Sequence, residues 1–222
     1  MRLFVMELPD ILNGTTIEKK DDAKHAMLVV AKEGLMPAFE HLKRIRASVT
    51  EQMPQLNRMQ LYEDFSRVLW HAYKDLMPKA ALSFGVNVGF MFQNNEDFEK
   101  GLERFKQDNP KIPPGFGEHL RHQRATWQSA LAEFRNQFLE HRQEEQTKFR
   151  AFYQPQASEA LFDSVWRTIV DTLVMAMSLK VYPGFQLAEY PADQRTEANP
   201  RRFCYVRVDK PEANGLGANT MP

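Results

Sequence analysis

One nonapeptide gathers residue types suited to phosphoryl chemistry: Phe134-Arg135-Asn136-Gln137-Phe138-Leu139-Glu140-His141-Arg142. Histidine is the side chain whose ordinary pKa lets it move protons near neutral pH. Arginine is permanently charged and fork-shaped, so it can hold the negative charge that develops on a phosphorane. Cleavage of an RNA strand by its own 2′-hydroxyl asks for these two functions. A second group lies earlier, at Glu118, His119, Arg121, His122 and Arg124. Glu118 and the two histidines are ligand types, but no further ligands are identifiable and the neighbouring arginines make a cation unwelcome, so no metal site is expected. Taken as cations, His119, Arg121, His122 and Arg124 are a dense patch without interleaved acids that could contact phosphate; the alternative is a solvated helix face.

These residues need helices to position them, and the apolar spacing supplies helices. Leu28, Leu35, Phe39, Leu42 and Val49 form one face of a long helix beginning near Ile17, with Gly34 and Pro37 as possible kink points. After a break at Met53-Pro54, a second helix runs from about Gln55 to Leu76 with Leu61, Phe65, Val68, Ala72 and Leu76 as its stripe. The stretch Met77 to Phe92 is apolar but holds Pro78, Gly85 and Gly89, and its state is left open. A short charged helix follows over Glu96 to Gln107, then a Pro-rich stop. The third long helix starts near Gly117 and reaches at least Arg142, with Leu120, Trp127, Leu131, Phe134 and Phe138 facing the core. The last, Leu161 to Leu179 with Ser158 as its expected N-cap, is apolar around most of its circumference, as befits the centre of a bundle or a subunit interface. The expected architecture is all-α: a four-to-five-helix bundle in one domain, with an arm over 1–16, a helical core over 17–185 and an irregular extension over 186–222 that contains a strand candidate, Phe203 to Val208.

The Arg-Asn-x4-His arrangement of Arg135, Asn136 and His141, on the helix ahead of the bundle's last apolar helix, resembles the signature of the HEPN superfamily. The resemblance covers roughly residues 55–185 in helix order and, in residue identity, this nonapeptide. It implies a metal-independent RNA endonuclease that leaves a 2′,3′-cyclic phosphate, with His141 as general acid/base, Arg135 as phosphate clamp and Asn136 as a positioning residue. It also implies a homodimer that brings two motifs into one cleft, a stress, defence or toxin-type role, an antitoxin or regulatory partner, and no cofactor. Many domains of this superfamily are catalytically silent, so the alternative is a non-catalytic dimerisation or interaction protein of the same fold. Helix geometry bears on the choice: at about 100° per residue, with Trp127 as zero, Arg135 falls at about +80°, Arg142 at about +60° and His141 at about −40°. Arg142 thus lies above Arg135 as a second phosphate contact, while Arg135 and His141 flank the apolar stripe on opposite sides.

Composition narrows the field. Among 222 residues, 29 Lys+Arg balance 29 Asp+Glu for a formal net charge of zero, so any binding to nucleic acid must come from a local cluster. Hydrophobic residues at 43% suffice for a packed core. A lone cysteine, Cys204, excludes an intramolecular disulfide and a Cys-based zinc site. Asp22 and His25 give a single Asp-x-x-His where a di-iron bundle needs two Glu-x-x-His pairs, and no Gly-rich phosphate loop, Gly-x-Ser-x-Gly elbow or His-Glu-x-x-His is present. Met1 to Asp10 lacks the apolar run of a signal peptide, and Leu161 to Val181 is interrupted by Asp163, Arg167, Asp171 and Lys180, so a cytoplasmic protein without a membrane span is expected.

Overall fold

A computed structural model describes residues 20–51, 53–112, 115–140, 146–180, 185–189 and 203–207. These residues are mostly helical, in keeping with an all-α chain. Helix α1 comprises Lys20–Val29, a π turn Val30–Leu35, and Met36–Thr50. Helix α2 comprises Gln55–His71, a π turn Ala72–Leu76, and Met77–Ser83. A 3-10 turn, Gly89–Phe92, leads to α3, Asn95–Asp108. Helix α4 is Phe116–Gln123, a π turn Arg124–Gln128, Ser129–Glu133 and a second π stretch Phe134–Glu140. A kinked 3-10 segment, Gln146–Tyr153, precedes α5, Pro155–Lys180. Strands β1, Phe185–Glu189, and β2, Phe203–Arg207, pair antiparallel with Leu187 opposite Tyr205. No helix among the described residues is long and apolar enough to cross a membrane.

The π turns explain how α1 and α2 continue through prolines. The Met36 N–H donates to the Ala31 carbonyl and the Met77 N–H to the Ala72 carbonyl, one residue beyond the α pattern. Pro37 and Pro78 follow immediately, where a missing N–H and a ring clash would otherwise break the ladder. Gly34 is therefore no kink. A Cβ built there would lie 2.6 Å from the Ala72 Cβ and 3.1 Å from its Cα, so the glycine lets the π turn of α1 seat against that of α2. The stretch left open in the sequence is thereby settled: α2 runs to Ser83 and ends in a Schellman motif, with Val86 N–H on the Ala81 carbonyl (3.1 Å), Gly85 N–H on the Leu82 carbonyl (2.7 Å), and Gly85 at φ +74°.

Two other expectations shift. Ser158 is not the cap of α5: the helix opens on Pro155, Ser158 lies buried in its first turn, and its N–H donates to the Gln154 carbonyl at 3.0 Å. The stripe of α1 also differs from the one read by spacing, because Ala23, Met27, Ala38 and Ile45 are fully buried while Val49 is 52% exposed.

Helix α5 is the core of the chain itself. Phe162, Val165, Trp166, Ile169, Val170 and Leu173 are buried against α1, α2 and their neighbours, and so are Val174 to Met177. Its apolar surface is thus consumed within one protomer and is not left open for a partner. A smaller aromatic cluster lies apart. Phe134, wholly buried at the start of the last stretch of α4, stacks on Phe152 (4.4 Å between centroids, 6° between planes) and meets Phe149 at 5.2 Å. This cluster fastens the 3-10 segment to the end of α4.

Candidate functional site

Arg135 sits one residue after Phe134, so the buried ring fixes where its backbone emerges. The guanidinium is half-buried, and its Nη1 donates to the Asn136 Oδ1 at 3.0 Å. That bond orients the planar fork, while Asn136 itself is exposed. His141 and Arg142 lie outside the described residues.

The cationic patch at the start of α4 does not form one open face. His119 is buried, with its Nε2 3.8 Å from the Asp171 Oδ2 of α5. Arg121 grips Glu99 of α3 through Nε (2.9 and 3.1 Å) and Nη2 (2.7 Å), and this bonding holds the Glu99 carboxyl below the usual carboxylate range. Arg124 donates Nη2 to the Gln93 carbonyl (2.6 Å), Nη1 to the Met91 carbonyl (3.4 Å) and Nε to the Asn95 side chain (2.9 Å), and lies 4.9 Å above the Phe98 ring. Only His122 of the four is exposed without such an assignment. The acids and carbonyls that occupy the arginines come from α3 and the 3-10 turn before it, which a reading of the local run does not see. Among the described residues no three His, Cys, Asp or Glu side chains converge.

A different cationic site forms where the N-terminal half of α2, the 3-10 segment and the start of α5 meet. The groove there encloses about 630 Å³. Arg58 and Arg150 line it together with Tyr62, Tyr153 and three glutamines, Gln55, Gln154 and Gln156, and no carboxylate does. Neither arginine makes an ion pair among the described residues. Tyr62 forms the floor, with Tyr153 packed edge-on at 5.9 Å and half-buried. Burial pushes the Tyr62 phenol up from its ordinary value, and the Arg58 charge beside it pulls the other way. The Tyr153 hydroxyl reaches the buried Glu63 at 3.3 Å, behind the groove. Tyr153 also meets Phe134 edge-on at 5.9 Å, so the groove shares its aromatic support with the turn that carries Arg135.

No family model, curated protein or solved structure matches the chain. Chemistry at the site is therefore inferred from its own residues. Two guanidiniums free of carboxylates suit phosphate oxygens, a half-exposed tyrosine suits the face of a base, and glutamine amides suit base edges or riboses. Sequence reasoning missed this groove because Arg58 and Arg150 are remote in the chain. The only local trace is Tyr153-Gln154-Pro155-Gln156, legible merely as a turn.

Proposed function

We propose that the chain is a HEPN-type, metal-independent RNA endonuclease, built as a four-to-five-helix bundle with a C-terminal extension. The acid-free groove of Arg58 and Arg150, joined through Tyr153 and Phe134 to the turn bearing Arg135, is the observation that carries this reading. A single strand lies in the groove with phosphates on the two arginines and a base against Tyr153. The 2′-hydroxyl attacks the adjacent phosphorus, the bond to the 5′-oxygen breaks, and the products are a 2′,3′-cyclic phosphate and a 5′-hydroxyl. Arg135, oriented by Asn136, holds the phosphorane charge, with Arg142 as a second phosphate contact. His141 moves the proton that leaves the 2′-hydroxyl and the one that the 5′-oxygen takes up. A homodimer supplies the second motif, and the setting is a cytoplasmic stress, defence or toxin-type system with an antitoxin or regulatory partner.

The test is cleavage of mixed RNA in EDTA by the parent protein and by Arg135→Ala and His141→Ala proteins of equal helicity. The expected result is cleavage by the parent, cyclic-phosphate ends, and loss of cleavage with retained RNA binding in both variants. Cleavage that survives both substitutions, or a parent that neither cuts nor binds RNA, overturns the assignment.

A further inference from the structure

A second cavity, unrelated to the cationic groove, opens between α2, the middle of α4, the 3-10 segment and the first turns of α5. Its volume is about 350 Å³, at the small end of the roughly 300–1,000 Å³ typical of ligand pockets. Phe65 and Trp127 form the buried floor, Phe152 and Leu161 the walls, and the exposed Ala130, Ala151 and Ala160 the mouth. No charged side chain lines it.

Its hydroxyls divide into two kinds. Thr126 donates to the His122 carbonyl (2.8 Å) and Ser164 to the Ala160 carbonyl (2.8 Å), the ordinary habit of hydroxyls on helices. Ser48 and Ser83 elsewhere behave the same way, each bonding the carbonyl three residues back at 2.7 Å. Ser66 and Ser158 do not. They are 1% and 2% exposed, both line the cavity, and neither Oγ has a protein partner. Buried hydroxyls without acceptors are costly, and here two of them, from different helices, border one apolar hollow with an open mouth. The Trp127 indole N–H is not available to a guest, since it donates to the Gln123 side chain.

The geometry points to a binding site for a small neutral molecule: an apolar body that fills the aromatic hollow and an acceptor oxygen, hydroxyl or carbonyl, that takes the Ser66 and Ser158 hydroxyls. A carboxylate or ammonium would be stranded in a lining with no counter-charge. The inference is independent of RNA cleavage and stands or falls separately from it.

Titration of the full chain with 1-octanol and with octanoate, read by saturation-transfer NMR and by tryptophan fluorescence, tests it. Octanol is expected to bind, and octanoate to bind at least about tenfold more weakly. Ser66→Ala and Ser158→Ala should each weaken octanol by roughly fivefold, the worth of one net hydrogen bond. Ala130→Phe, at the exposed mouth, should abolish binding without touching the core, and Ala151→Phe on the same rim gives a second closing variant if the first does not fold. Equal binding of octanol and octanoate overturns the proposal. So does binding unaffected by both serine substitutions or by the closing variant, or no octanol binding by a parent protein with an intact thermal transition.

Discussion

Replacing Arg58 and Arg150 by alanine separates the groove from every other cationic feature of the chain. Neither guanidinium makes an ion pair among the described residues, so each is available to a phosphate, whereas Arg121 and Arg124 are already bonded to Glu99 and to the Met91 and Gln93 carbonyls. On a single strand each neutralised phosphate contributes about 0.7 to the slope of log affinity against log salt. Losing two contacts should thus lower the slope by about 1.4 and, at about 0.1 M salt, weaken binding roughly 25-fold, or about 1.9 kcal/mol. Folding should hardly notice, because surface changes that break no partner stay within about 0.5 kcal/mol. Arg121→Ala is the control: it costs interhelical bonding but should leave the slope alone. The assay is fluorescence anisotropy of a labelled 2′-O-methyl oligouridine, which cannot be cleaved, over about 50 to 300 mM KCl in EDTA. An unchanged slope in the double variant, or a slope lost in Arg121→Ala instead, refutes the placement of RNA in this groove.

Three further outcomes follow from packing and charge. Gly34→Ala gains about 1 kcal/mol of helix propensity but drives a methyl to 2.6 Å from the Ala72 Cβ; with overpacking at about 1–3 kcal/mol the sum is a loss, and Ala72→Gly in the same chain should restore most of it in urea denaturation. Tyr73→Phe should be neutral or stabilising by up to about 1–2 kcal/mol in the same assay, since the Tyr73 hydroxyl is buried without a protein partner and burial pushes its phenol far above its ordinary value. Glu99, held low by Arg121, adds a small increment of stability that is present above the ordinary carboxylate range and lost as pH falls through its depressed folded value; the pair is half-exposed, so Glu99→Gln should flatten the acid limb of the stability profile only slightly.

The helices of this chain were readable because large apolar residues recur at helical spacing over long windows, and α5 stood out for being apolar all round. What spacing could not show is where backbones come close. On α1 the eye follows Leu28 and Val49, yet at its contact with α2 the buried face is built from Ala23, Met27, Ala31, Gly34 and Ala38, small or pliable residues that weigh little in a hydrophobic pattern. Proline misled for a related reason: Pro78 reads as a stop, but a π turn absorbs it and α2 continues to Ser83. At the site, Arg135 and Asn136 were legible as neighbours, and their 3.0 Å contact needs no tertiary information. The occupation of Arg121 and Arg124, and the meeting of Arg58 with Arg150, depend on which helices pack together. No local run of residues encodes that.

Arg135 follows Phe134 in sequence, and Arg150 follows Phe149, while the two phenylalanines lie 5.2 Å apart in one aromatic cluster. The two cations are therefore mounted like paired arms on a common axle. A turn of that axle would carry both arms at once, so strand capture and phosphate clamping share a single mechanical reference, set by rings that never touch the substrate. Trimming Phe152, which stacks on Phe134, would unseat the bearing while leaving every charge in place.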